Sequence, residues 1–317
     1  LDVLADNLAA IVAENRSAML VNGVAVGVSM AFNTIGWQAQ SALMNSLAAF
    51  LGTDSGGEVP ASTTAMVVNT ALTVLGDVQV GAGTAGDPNW SAQGGTVEAT
   101  VVNASKSSLP SVTASFILAM NKVSARSMAW ASPLTGGPDA AELTQATEPA
   151  KTKWLVGGSV LVTAMDTVRI HSDVSLETSS GGGASVGGVA ARNEVTGGVD
   201  AAMDRMDLDV GINVSVQALE MAQLRASLSG SSKSSSTQDK SISEGASFAK
   251  NAAASLSEAY YPSVSFNGLI ANNVVLSSSR AQLTRSHILA GGALTVDAKN
   301  QSDIEATNEA VMTAEGT

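Results

Sequence analysis

An all-β fold is predicted from the sequence: a parallel β-helix or β-solenoid made of degenerate super-repeats of about 55–90 residues, with loops inserted among them. Three observations carry this. First, the pattern apolar-or-small, x, Ala, x, Asn, x, Val/Ile opens as Ser29-Met30-Ala31-Phe32-Asn33-Thr34-Ile35 and returns three times, placing its asparagines at Asn33, Asn121, Asn193 and Asn273. Second, the pattern Val/Leu, x, Val, x, Ala, five residues, Ile/Leu, x, Ala/Ser travels with it, with its alanines at Ala5, Ala164, Ala218 and Ala298. Third, 45 % of the chain is hydrophobic but only 3 % is aromatic. The interior must therefore be built of Ala, Val, Leu and Ile, a filling that suits narrow stacked strands.

Taken in order, the repeats divide one continuous segment, residues 1–317, into units at 1–95, 96–158, 159–212 and 213–292, with the start of another at 293–317. The most hydrophobic stretch, Met19 to Phe32, is broken by Asn22 and several glycines. It falls short of the about 18 apolar residues a membrane helix needs. Its β-branched and small residues alternate, so it reads as a strand whose inward face either parity could supply. Residues 39–51 place Ala42, Leu43, Leu47, Phe50 and Leu51 at helical spacing, which allows a short helix. Thr64 to Val80 reads as a strand pair and Thr96 to Val102 as a strand. Insertions are expected at 52–62, 82–95, 132–153 and 227–247, where Gly, Pro or Ser accumulate. The last is a Ser/Lys/Gln run that lengthens its unit without disturbing the next asparagine motif, as loops on a repeat scaffold do. The gaps from Val160 to Val214 and from Val214 to Leu294 are long enough to suggest several coils in each super-repeat.

In the asparagine motif Ala, Asn and Val/Ile share one parity and face the same way. If that face is inward, four asparagines are buried and must be hydrogen-bonded, as stacked or turn-bonding amides are. The alternative is an asparagine that closes a turn, where it tolerates left-handed backbone.

Little else in the sequence carries chemistry. With no cysteine, disulfides, thiol catalysis and Cys-type zinc sites are excluded. The net charge of −12 argues against a nucleic-acid partner. An acidic cluster, Asp200, Asp204, Asp207 and Asp209 with Arg205, is the best candidate for polysaccharide cleavage, but only Asp207 and Asp209 are next neighbours on one strand face. In a chain with 14 % charged residues these read as solvated outer positions. Calcium is the one cofactor left open there, since hard cations take carboxylate oxygens. The Gly-Gly-x-Gly-x-Asp nonapeptide of calcium β-rolls is absent. His171 and His287 stand far apart, and His171, next to core-type Ile170, should face outward. The run Gly181-Gly182-Gly183 with Gly187-Gly188 lacks the Gly-Lys-Ser/Thr of a phosphate loop. Of Trp37, Trp90, Trp130 and Trp154, Trp90 in its Gly/Pro loop is the best sugar-stacking candidate, and packing beneath that loop is the equal alternative. No enzyme activity, cofactor-binding residue or metal ligand is assigned.

The repeat units resemble the arrays of very large bacterial cell-surface proteins and adhesins, with filamentous-haemagglutinin-like repeats. The residues that carry the resemblance are Val160-Leu161-Val162-Thr163-Ala164 through Ser172, and Gly187-Gly188-Val189-Ala190-Ala191-Arg192-Asn193-Glu194-Val195. It touches the whole chain, most clearly 155–310, while 52–110 and 132–153 depart from it. The resemblance implies export to the cell surface, a β-solenoid stalk, and a role in adhesion, surface coating or filament building. It supplies no catalytic residues. The expected function is structural, a rigid extracellular segment of a longer protein whose partners are neighbouring repeats of the same or identical chains, end to end or side by side. A glycan- or cell-binding module acting through the 132–153 and 227–247 loops is the alternative, and a polysaccharide-active enzyme the third reading.

Overall fold

The computed structural model describes residues 1–7, 9–22, 24–37, 57–83, 95–107, 111–134, 152–181, 183–235 and 263–315, among which there is no helix. The expected helix at 39–51 lies outside them, as does Trp90. The strands form β1 (Asp2–Ala5), β2 (Ala10–Val21), β3 (Ala25–Ile35), β4 (Ala61–Val68) and β5 (Leu72–Val74), then β6 (Val78–Ala82), β7 (Gly95–Ser107), β8 (Ser111–Ser132) and β9 (Thr152–Val156). Next come β10 (Val160–Ser180), β11 (Gly183–Asp204) and β12 (Met206–Val210), and β13 (Val214–Ser235), β14 (Val264–Thr284) and β15 (His287–Ala290). β16 (Leu294–Glu315) closes the series.

These strands fall into three parallel sheets. A first long sheet runs β1-β6-β10-β13-β16, with β2 and β7 lying beside the second half of β10. A second long sheet runs β3-β8-β11-β14, with β4 beside the end of β8. A short sheet runs β5-β9-β12-β15. The chain thus makes four circuits, each through first long, second long and short sheets, and opens a fifth with β16. At about 3.3 Å per residue and about 4.8 Å between strands, the circuits build a blade up to about 70 Å broad but only about 25 Å along the stacking direction.

Successive repeats are direct neighbours. Val160 pairs with Val214 and Val214 with Leu294, so each super-repeat is one broad circuit and does not contain several coils. The second circuit begins at Val78, ahead of residue 96, because Val78, Val80 and Ala82 pair with Val160, Val162 and Ala164. The pattern resumes where Val97 pairs with Ile170. The insertion between the two halves hid this copy. Ala5, Ala82, Ala164, Ala218 and Ala298 consequently form one column. Residues 64–80 hold parts of three strands. Ser227 to Ser235 is not loop: it completes β13, in register with β10 on one side and β16 on the other.

Corners follow from sterics. Where the short sheet returns to the first long sheet, Gly157, Gly211 and Gly291 stack so closely that a Cβ on Gly211 would fall on the Gly157 carbonyl oxygen, and one on Gly291 on that of Gly211. Only glycine permits that approach. Where the second long sheet meets the short one, single residues turn the chain in left-handed backbone: Asn69 (φ 45°), Arg205 (φ 52°) and Arg285 (φ 50°).

The interior changes along the blade. At the wide end, where all three sheets meet, Val162, Ala201, Met203, Leu208 and Trp154 form the largest apolar cluster. Toward the narrow end, bounded by the two long sheets alone, a second cluster gathers Val174, Leu176, Ile117, Val189 and Leu228. Beyond it the gap closes until only small side chains fit: a Cβ on Gly27 would lie 3.1 Å from the hydroxyls of both Ser105 and Ser115. This explains the serine-rich end of β13 and decides the parity of β3. Ala25, Gly27, Ser29 and Ala31 point inward, while Val24, Val26 and Val28 are 58–69 % exposed.

Candidate functional site

The four repeat asparagines lie in one column between the long sheets, in register through β3, β8, β11 and β14. Each amide nitrogen donates to the side-chain oxygen of the next: Asn33 to Asn121 at 2.9 Å, Asn121 to Asn193 at 3.0 Å, and Asn193 to Asn273 at 2.9 Å. The same nitrogens reach across to main-chain carbonyls of the first long sheet, one circuit further on. These are Glu98 for Asn33, His171 for Asn121, Arg225 for Asn193 and Glu305 for Asn273, at 2.6, 3.2, 3.0 and 2.8 Å. Asn121 and Asn193 are fully buried. The ladder therefore binds circuit to circuit and sheet to sheet, and it is polar, with every donor aimed the same way along the stack. Ser172 strengthens its centre, taking a bond from Asn121 and giving one to Asn193 at 2.7 Å.

A second interior network is made of hydroxyls near the narrow end. Ser17 meets Ser29, Asn103 donates to Ser29, and Ser115 bonds Ser105, which donates to Asn103. Further along the stack Ser185 bonds Thr178, and Ser232 and Ser265 continue the chain. Burying hydroxyls is tolerated because each finds a partner.

Between the wide-end cluster and the next, two acids point inward. Asp166 and Glu220 are register neighbours on β10 and β13, with Asn300 next in line on β16. Glu220 is 1 % exposed and neither carboxylate oxygen has a hydrogen-bond partner among the described residues. Burial first, and the Asp166 charge second, push its carboxyl up to about 8, with Ser277 offsetting part of the rise. Burial likewise lifts Asp166 to about 6, against a hydrogen bond from the Thr167 main chain. The pair thus holds a proton at neutral pH. Opposite, Gly197 adopts φ +127° and packs on the Ala125 carbonyl, where no side chain would fit. Asp166 also lines a cavity of about 40 Å³ with Asn7, Thr63 and Ser127. That is room for a few waters.

The acidic cluster disperses into separate ion pairs. Asp200, 8 % exposed, is held by Arg126 at 2.8 Å and Arg280 at 2.8 Å from the circuits on either side. Asp204 takes Arg205 and Arg285, and Asp207 takes His287 at 3.0 Å. Asp200 is therefore buried and paired, where solvated positions were expected, because the parallel register brings cations from neighbouring circuits to its sides. No group of three or more metal-ligating side chains occurs among the described residues. His171 is half-buried on the outward parity. Trp154 is fully buried and donates to the Thr70 carbonyl, Trp130 is buried, and Lys122 sits 3.4 Å over the Trp37 ring. No helix is long and apolar enough to cross a membrane among the described residues.

Comparison with known protein families, characterised proteins and solved structures finds no match to this chain. The arrangement itself defines an all-β protein of parallel, repeat-stacked sheets in which a ladder of asparagines joins the circuits.

Proposed function

We propose that this chain is a segment of a β-solenoid, as its repeats resemble, and that its work is structural, as part of an extracellular stalk, coat or filament on a bacterial cell surface. The observation that carries the reading is the asparagine ladder. A row of buried amides repeated once per circuit, all pointing one way, serves continuation of the same stack and serves no reaction. The 22-residue edge of β16, almost wholly exposed, is the natural docking place for a further circuit, from the same or an identical chain. Geometry favours a broad coat over a thin spacer: each circuit adds only about 4.8 Å of length, so a stalk of about 100 Å would need roughly twenty.

Binding to glycans through projecting loops is the weaker reading. Part of one of the two loops expected to bind, Ser227–Ser235, is strand in register with β10 and β16 and does not project. The reading gives Asp207 and Asp209 no catalytic part and needs no cofactor; calcium remains unassigned. Antibody raised against the chain and applied to intact and permeabilised source cells tests it. Labelling of intact cells is expected, and labelling of permeabilised cells alone would overturn surface exposure.

A further inference from the structure

The outward face of the second long sheet, at the start of its strands, is apolar across four circuits. Its most exposed members are Val24 just ahead of β3, Val26 and Val28 within it, Phe116 of β8, and Phe266 and Ile270 of β14, 49–69 % exposed. The remaining positions of the field are Met30, 39 % exposed, and Ala, Val, Leu or Gly. No charge or hydrogen-bonding side chain interrupts this four-by-four field, in a chain whose other outward faces carry Arg, Glu, Asp, Gln and Ser. Two of only five phenylalanines stand in it.

This inversion has a cause. The narrow interior takes Ala, Gly and Ser, so the large residues of these strands have been placed outside. With the narrow end closed by small residues, nothing in the fold requires valine and phenylalanine outward, and water disfavours them there. Together with neighbouring Val112 and Val264 the field presents on the order of 800 Å² of apolar side chain, beyond the few hundred Å² a monomer normally exposes in one patch. It equals the share each subunit contributes to a stable dimer, roughly 800 Å².

We propose that this face is the isologous contact of a dimer, packing against the same face of a second copy. A second copy fits for three reasons. The area is what a stable two-fold contact needs, and the uncharged composition is that of a homodimer core. Two chains of net charge −12 repel each other overall, and an uncharged field adds no like-charge contact to that. The surface is also two-fold compatible: the gap over Gly268, whose added Cβ would meet only the edge of Phe266 at 3.8 Å, receives a side chain from the facing copy. Sheets so packed lie about 10 Å apart with strands about 30° from aligned. The contact closes on itself, so it pairs circuits side by side and leaves the β16 edge free.

The test is sedimentation velocity of the 317-residue chain at micromolar concentration. A dimer is expected, with Phe266→Lys and Ile270→Lys each weakening it at least tenfold. Leu276→Lys, on the same strand and 65 % exposed but outside the field, should leave it intact. Because the chain has no cysteine, Phe266→Cys supplies one thiol, and a short bismaleimide should link two copies through it. A monomer at about 100 μM overturns the proposal, as does a dimer indifferent to Phe266→Lys and Ile270→Lys. Monomer that instead binds neutral phosphatidylcholine vesicles overturns it in favour of a lipid surface. The result does not depend on export: intracellular chain would still dimerise, and a monomeric chain could still be displayed on cells.

Discussion

Asn193 is the residue on which the stack should depend most. It is fully buried and takes part in four hydrogen bonds: to Asn273 at 2.9 Å and the Arg225 carbonyl at 3.0 Å, and from Asn121 at 3.0 Å and Ser172 at 2.7 Å. Asn193→Ala removes all four bonds at once, although Asn121 keeps its bonds to the His171 carbonyl and Ser172. A buried group left without its bond costs about 1–3 kcal/mol. If two of the four find other partners after relaxation, the loss is about 3–5 kcal/mol. Asn273→Ala is the internal comparison, because Asn273 is only partly buried and its carbonyl partner Glu305 is exposed. Water replaces what is lost there, and about 1 kcal/mol is expected. Asn193→Asp should be worse than alanine at pH 7, since a carboxylate would face the Arg225 and Asn273 oxygens, and should recover in part at acid pH as the carboxyl regains a donor. Urea unfolding followed by far-UV circular dichroism, and by fluorescence of buried Trp130 and Trp154, reads these differences. Asn193→Ala within about 1 kcal/mol of the parent, or Asn273→Ala equally costly, would refute the reasoning.

Three further outcomes are expected. Glu220, raised from 4.5 to about 8, contributes stability that is fully present below about pH 4.5 and is lost as pH rises through about 8; the loss is at most about 5 kcal/mol. Glu220→Gln should flatten the dependence of unfolding free energy between about pH 5 and 9 and stabilise the protein at the upper end; an unchanged slope would count against the buried pair. Gly211→Ala would drive a methyl group into the Gly157 carbonyl, and a melting temperature lowered by several degrees is expected, whereas Gly76→Ala, with open space around it, should melt like the parent. Asp200→Asn removes the charge between Arg126 and Arg280 and should cost about 1–3 kcal/mol, a figure held down by the partial exposure of both arginines. A loss that disappears in about 1 M salt would mark it as a surface pair.

Much of the stacking was legible in the sequence because in-register parallel strands force like residues into columns. Asn33, Asn121, Asn193 and Asn273, and the alanines from Ala5 to Ala298, stood out for that reason. What stayed hidden fell between the pattern positions or was broken by insertions. Val78-x-Val80-x-Ala82 is a full copy of the first half-motif, but the insertion after Ala82 separates it from Val97. The corner glycines Gly157, Gly211 and Gly291 recur three residues before each Val/Leu and were a readable signal. Asp166 and Glu220 occupy the unconstrained stretch of the second motif, and nothing local marks them as inward. Ser227–Ser235 resembled a polar loop because composition alone cannot tell a solvated serine from one filling a narrow interior. The parity of Val24, Val26 and Val28 was undecidable for the same reason: the usual rule, large residues inward, fails where two sheets close on each other.

The stacking of repeats as single circuits is tested most directly by one distance. Asp2, Gln79, Leu161, Ser215 and Thr295 are successive register partners in the first long sheet. Residues 2 and 295 are thus four strand spacings apart, about 19 Å, although nearly the whole chain separates them in sequence. In this cysteine-free protein, Asp2→Cys with Thr295→Cys accepts two spin labels and no others. Double electron–electron resonance should give a narrow distribution near roughly 20 Å once label length is included. A mean beyond about 40 Å, or a broad distribution, would contradict it.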